Sequence, residues 1–131
     1  MNFEKGLVVE LSAITGLTGK VYPAYGGQKV TAPHVIYLKI ANNNGREEDL
    51  QGHEGLIEEL YQIDIYHSTK DNLNILMDLI LAEIKTFNFQ NIGITGPYIQ
   101  HCKIVEDFDI YDEAVNLWRG IITIQVSYRE D

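Results

Sequence analysis

The segment EELYQIDIYH, residues 58–67, constrains this chain more than any other. Tyr61, Ile63 and Ile65 fall on one side of an extended backbone; Gln62, Asp64 and Tyr66 fall on the other. A period of two is that of a β-strand with one face in the core and one nearer water. The same alternation returns near the end of the chain, over Leu117–Tyr128, where Ile122, Ile124, Val126 and Tyr128 interleave with Thr123, Gln125 and Ser127. A third stretch, PHVIYLKIA (33–41), sets Ile36, Leu38 and Ile40 against Val35, Tyr37 and Lys39. Strands with one apolar face must pair with each other and be covered.

Two helices supply the cover. The first is expected from Asn2 to about Gly16, because Phe3, Leu7, Leu11 and Ile14 recur at helical spacing. Asn2 can cap it, and Gly16 or Gly19 can end it in a left-handed conformation. VYPAYGG (21–27) is a short extended stretch. The second helix is expected from about Thr69 to Phe87, with Ser68 as N-cap and Asp71 completing a capping-box pattern. A further strand lies near Tyr98–Val105. The order α-β-β-β-α-β-β is not a regular interleaving, so the fold class is α+β: a mostly antiparallel sheet with two main helices packed on it. At 131 residues the whole chain, 1–131, reads as one domain.

The second helix carries two apolar stripes. Leu73, Leu76, Met77, Ile80, Ile84 and Phe87 form the obvious core face. Ile75, Leu79 and Ala82 fall near the opposite side. Either the first helix or a loop covers this second stripe, or a neighbouring subunit buries it. Residues 42–55, NNNGREEDLQGHEG, are a long polar connection, and connections of this length often serve partner contacts.

Charge and composition exclude several function classes. The net charge is −9, and eleven acids fall in two stretches. The first holds Glu47, Glu48, Asp49, Glu54, Glu58 and Glu59; the second holds Glu106, Asp107, Asp109, Asp112 and Glu113. Solvated loops and turns are one reading, and a surface that repels phosphate is the other. Tight DNA binding needs clustered Lys and Arg, which are missing. No leader or membrane span is expected, because charge interrupts every apolar run. The single cysteine, Cys102, leaves no internal disulfide and fits a reducing compartment.

No residue pattern calls for a metal, a cofactor or a catalytic group. His34, His53, His67 and His101 lack second ligands at metal-binding spacing. HEGLI (53–57) has Ile57 where a zinc protease needs histidine, and GLTGK (16–20) lacks the other marks of a phosphate loop. Cys102 and His101 are strand neighbours on opposite faces and cannot pair as nucleophile and base. Cys102 reads as a small buried hydrophobe.

Taken in order, VYP (21–23), APHVIY (32–37), DLQGHEG (49–55), ELYQIDIYHST (59–69), a helix and DIYDEAVNLWRGIITIQVSYR (109–129) resemble the tail-completion, or tail-terminator, proteins of long-tailed bacteriophages. The resemblance spans nearly the whole chain and rests on the order of short motifs. Trp118-Arg119 stands where the family has Tyr-Arg. The resemblance implies a ring-forming α+β protein, hexameric, that caps the tail tube at the virion's tail–head junction after assembly in the host cytoplasm. It implies as partners other copies of the chain, the tail tube protein and a neck or head-completion protein, with DNA passing through unbound and no membrane. It carries no catalytic residue or cofactor. Acidic stretches facing the channel would keep it non-adhesive, and a ring closes through heterologous contacts. Expected contact residues are Ile75, Leu79 and Ala82 on the helix and Asp49, Leu50, Gln51, His53 and Glu54 in the loop. Another neck adaptor, or a small-ligand-binding α+β domain, are the alternatives.

Overall fold

A computed structural model describes residues 3–24, 32–43, 56–93 and 96–129. Its elements are α1 (Phe3–Ser12), β1 (Val21–Pro23), β2 (His34–Asn43), β3 (Leu56–His67), α2 (Lys70–Lys85), β4 (Gln90–Asn91), β5 (Tyr98–Asp112) and β6 (Leu117–Arg129). The strands make one six-stranded sheet in the order β1-β2-β3-β6-β5-β4. Only the β1–β2 pairing is parallel. The fold is therefore α+β with a mostly antiparallel sheet and two helices packed on it, as the alternating segments required.

The helices lie on the face that holds Val35, Tyr37, Tyr61, Ile63, Ile65, Ile122, Ile124 and Val126, all buried. From α1 come Phe3, Leu7 and Leu11; from α2 come Leu73, Leu76, Met77, Ile80 and Ile84. This is the predicted core stripe of the second helix. The α2 N-cap is Thr69, one residue later than expected: its hydroxyl accepts the Asn72 N–H at 3.3 Å. Helix α1 stops at Ser12, and three short turns closed by Ile14, Leu17 and Lys20 N–H groups carry the chain onward. Gly16 and Gly19 sit in those turns at φ +92° and +71°, the left-handed conformation assigned to them, but after the helix has ended. Gly120 on β6 has another purpose. A Cβ there would overlap the Met77 side chain, so the missing side chain lets α2 settle onto the sheet.

Two differences concern the second half. β4 is a two-residue strand with no alternation to reveal it. β5 runs to Asp112, well beyond Val105. Its register against β6 shifts between Ile99 and His101 and again between Ile104 and Glu106. Each bulge moves the inward phase by one residue, so a strand of constant period cannot be read through Val105.

Candidate functional site

The second apolar stripe of α2 is uncovered among the described residues. Ile75 is 61% exposed and Leu79 46%; Ala82 is exposed too. Ile75, Leu76 and Leu79 line a shallow groove of about 190 Å³, whose other wall is formed by Thr15, Gly16, Pro33 and His67. Burial lowers the His67 pKa, which favours the neutral imidazole there. The turns that follow α1 thus border the groove and leave the stripe open. Asp49, Leu50, Gln51, His53 and Glu54 lie outside the described residues, as does most of the 42–55 connection.

Where the structure describes them, the acidic stretches lie mostly on strands, and only Glu113 falls in an exposed turn. Glu58 and Glu59 belong to β3, and residues 106–112 belong to β5. Glu59 is only 5% exposed. It shares the inward phase of Tyr61, Ile63 and Ile65, and three donors satisfy it. The Tyr61 and Tyr128 hydroxyls donate to Oε1 at 2.9 and 2.7 Å, and Lys39 Nζ approaches Oε2 at 2.8 Å. Phe3 closes this network from above, its ring 4.9 Å from that of Tyr61 and 5.9 Å from that of Tyr128. Burial first, then the Glu59 carboxylate, push the Tyr61 hydroxyl far above the usual range, so it stays a donor. A buried carboxylate with this many partners fixes α1 to the sheet and offers no free acid or base.

The other sheet face carries a second polar group of residues. Arg119 Nη2 donates to Asp64 Oδ2 at 2.7 Å, and Gln62 Nε2 donates to Asp64 Oδ1 at 2.9 Å. The guanidinium lies 5.8 Å from the Tyr66 ring centroid, and His34 stacks on Tyr66 at 4.7 Å. The strand register explains the row: His34 faces Tyr66 and Tyr66 faces Arg119 across adjacent strands. Leu38 and Ile40 at one side of this face, and Phe108 and Ile110 at the other, are exposed.

The helices are tied together by carboxyls. Glu10 on α1 accepts the Gly93 N–H at 2.7 Å. A hydrogen bond from Glu83 on α2 to Glu10, with burial and the Glu10 charge, raises the Glu83 pKa to about 7. The two side chains therefore share a proton under mildly acidic conditions.

Cys102 is buried, and burial pushes its thiol up to about 12, which leaves it protonated and unreactive. His101, its neighbour, is exposed, so the two do point apart. Among the described residues no group of three or more His, Cys, Asp or Glu can hold a metal ion. None of their helices is long and apolar enough to cross a membrane.

No family model matches the chain, nor does any curated protein. Among solved structures, the chain is similar to one from a "Virion of native gene transfer agent (GTA) particle". The TM-score is 0.67 at 7% sequence identity, over 98% of this chain and 95% of that one. At that identity the likeness concerns the path of the backbone, and it runs end to end: the chain shares the fold of a virion component.

Proposed function

We propose that this chain is a structural protein of a phage-like particle, a tail terminator that assembles as a ring on the tail tube and joins it to the neck. The observation that carries the reading is the end-to-end fold likeness to a chain of a gene transfer agent virion. The motif order from VYP to the final strand supports it independently. In this reading the whole chain acts as one domain. Its partners are further copies in a closed ring of six, together with the tube protein and a neck protein. Ile75, Leu79 and Ala82 supply one half of the contact between copies, and residues 49–54 meet a neighbour or the tube. DNA passes the ring without specific binding, and the site of action is the tail–head junction.

The test mixes the purified chain with tail tubes and, separately, with DNA-filled heads, followed by electron microscopy. Rings seated on tube ends are the expected result. Binding to heads alone would assign the chain to another neck adaptor. A chain that stays monomeric and binds neither would refute a place in the neck.

A further inference from the structure

The far side of β5 is a strand edge that the described residues leave open. β6 occupies one edge of β5 along its length. On the other edge β4 pairs only with Tyr98 and Ile99. The Asn88 side chain then serves as a substitute strand for one residue. It accepts the Cys102 N–H at 2.6 Å and donates to the Cys102 carbonyl at 3.3 Å. Beyond the bulge at Val105, no described strand pairs with residues 106–112 on this side. An unpaired edge of this length is a template for an added strand.

A cleft runs beside that edge. It has a volume of about 430 Å³ and lies between Asn74, Met77, Asp78 and Leu81 of α2 and residues 107–109 of β5. Lys70 reaches Asp109 at 3.7 Å, at one end. Among the described residues no basic side chain pairs with Asp78 or Asp107. Among the described residues the cleft therefore combines apolar walls from Met77 and Leu81 with negative charge that no neighbouring basic side chain balances. That is the complement of a long side chain with an apolar stem and a cationic tip.

We infer that the free edge of β5 over 106–112 accepts an extended, Lys- or Arg-bearing segment of a partner protein as an added strand, with one basic side chain in the cleft beside α2. Two features argue against a second β5 as the occupant. Glu106, Asp107, Asp109 and Asp112 would face their own copies, and like charges across paired strands repel. The chain's net charge of −9 adds to that repulsion. A basic strand meets neither objection. The inference does not depend on the ring reading.

The test uses the full chain and three synthetic nine-residue peptides: alternating Lys and Val, alternating Glu and Val, and the Lys–Val peptide N-methylated at alternate amides. Binding is followed by NMR shifts and amide hydrogen exchange. The Lys–Val peptide is expected to slow exchange within 106–112. The Asp78→Asn/Asp107→Asn double variant, shown folded by its NMR spectrum, should bind it at least tenfold more weakly. The N-methylated peptide should lose a similar factor, because it cannot complete the backbone ladder. Unchanged exchange at 106–112 with saturating Lys–Val peptide would overturn the inference. So would equal binding of the Glu–Val peptide. Equal binding of the N-methylated peptide would reduce the effect to surface charge and overturn it as well.

Discussion

Replacing Leu79 with Lys tests whether the second stripe of α2 is an interface. Leu79 is 46% exposed and Ile75 61%, so roughly half of each side chain is still available for burial. Full burial of such a side chain is worth about 1.5–3 kcal/mol, which leaves about 0.7–1.5 kcal/mol for each of the two at one contact. A closed ring repeats that contact at every interface, so a small local term decides assembly. Lysine removes the Leu79 share and places an ammonium where it must be desolvated without a partner. The monomer should hardly respond, since exposed substitutions away from special features usually stay within about 0.5 kcal/mol. Thermal melts by circular dichroism, sedimentation and tail-capping by electron microscopy should be run on the variant and the parent together. The expected variant melts like the parent but sediments as a monomer and leaves tubes uncapped. An unfolded variant would mean that Leu79 belongs to the core. A variant that folds, forms rings and caps tubes would show that the stripe is no interface, and ring contacts would have to be sought at the sheet edges.

Ile80 is fully buried on the opposite side of the same helix, so Ile80→Ala should cost about 2–5 kcal/mol in urea unfolding, and a loss below about 1 kcal/mol would contradict its core position. Gly120→Ala forces the Met77 side chain aside and should cost about 1–3 kcal/mol in the same assay; a neutral result would mean α2 is not held so close. Glu83 has a pKa raised from 4.5 to about 7, so the stability it contributes is full below about pH 4.5 and is lost as pH rises through about 7. Melting temperature should therefore fall between pH 5 and 8 more in the parent than in Glu83→Gln, a comparison that cancels the opposite pull of His67; identical profiles would refute the shared proton. A mobility-shift assay with duplex DNA at physiological salt should show no complex, and a tight, salt-sensitive one would end the non-adhesive channel argument.

Where burial follows a fixed period, the chain could be read directly. The inward phase of β3 and β6 and the core stripe of α2 match residue for residue. The buried carboxylate was within reach of the same logic. Glu59 is two residues from Tyr61 and four from Ile63, in phase with both, and Lys39 shares the side of β2 that holds Val35 and Tyr37. Grouping Glu59 with neighbouring acids hid that phase, because charge runs usually mark solvated surface. The partner Tyr128, at 2.7 Å, lies 69 positions away and carries no local sign. Asp64 and Arg119 were likewise visible only as polar strand positions; their ion pair depends on the β3–β6 register.

The edge of β5 that the described residues leave open is a harder case, because neither the short β4 nor the bulge at Val105 has a local sign in the sequence. Helix α2 and the turn that follows it are tied to β5 at two points. Lys70 meets Asp109 at one end, and Asn88 holds Cys102 at the other. Between those points the bulge at Val105 adds a residue to the strand and bends it. The cleft lies between those two points, along Asn74, Asp78 and Leu81. After the bulge the side chains include Glu106, Asp107, Asp109 and Asp112, residue types that strands otherwise disfavour. A chain selected only to complete its own sheet would gain nothing from acids on an unpaired edge next to a cavity. Such acids do prevent copies of the edge from pairing with one another. They also select by charge which strand can take the place, and that makes the bulge and the acids parts of one arrangement.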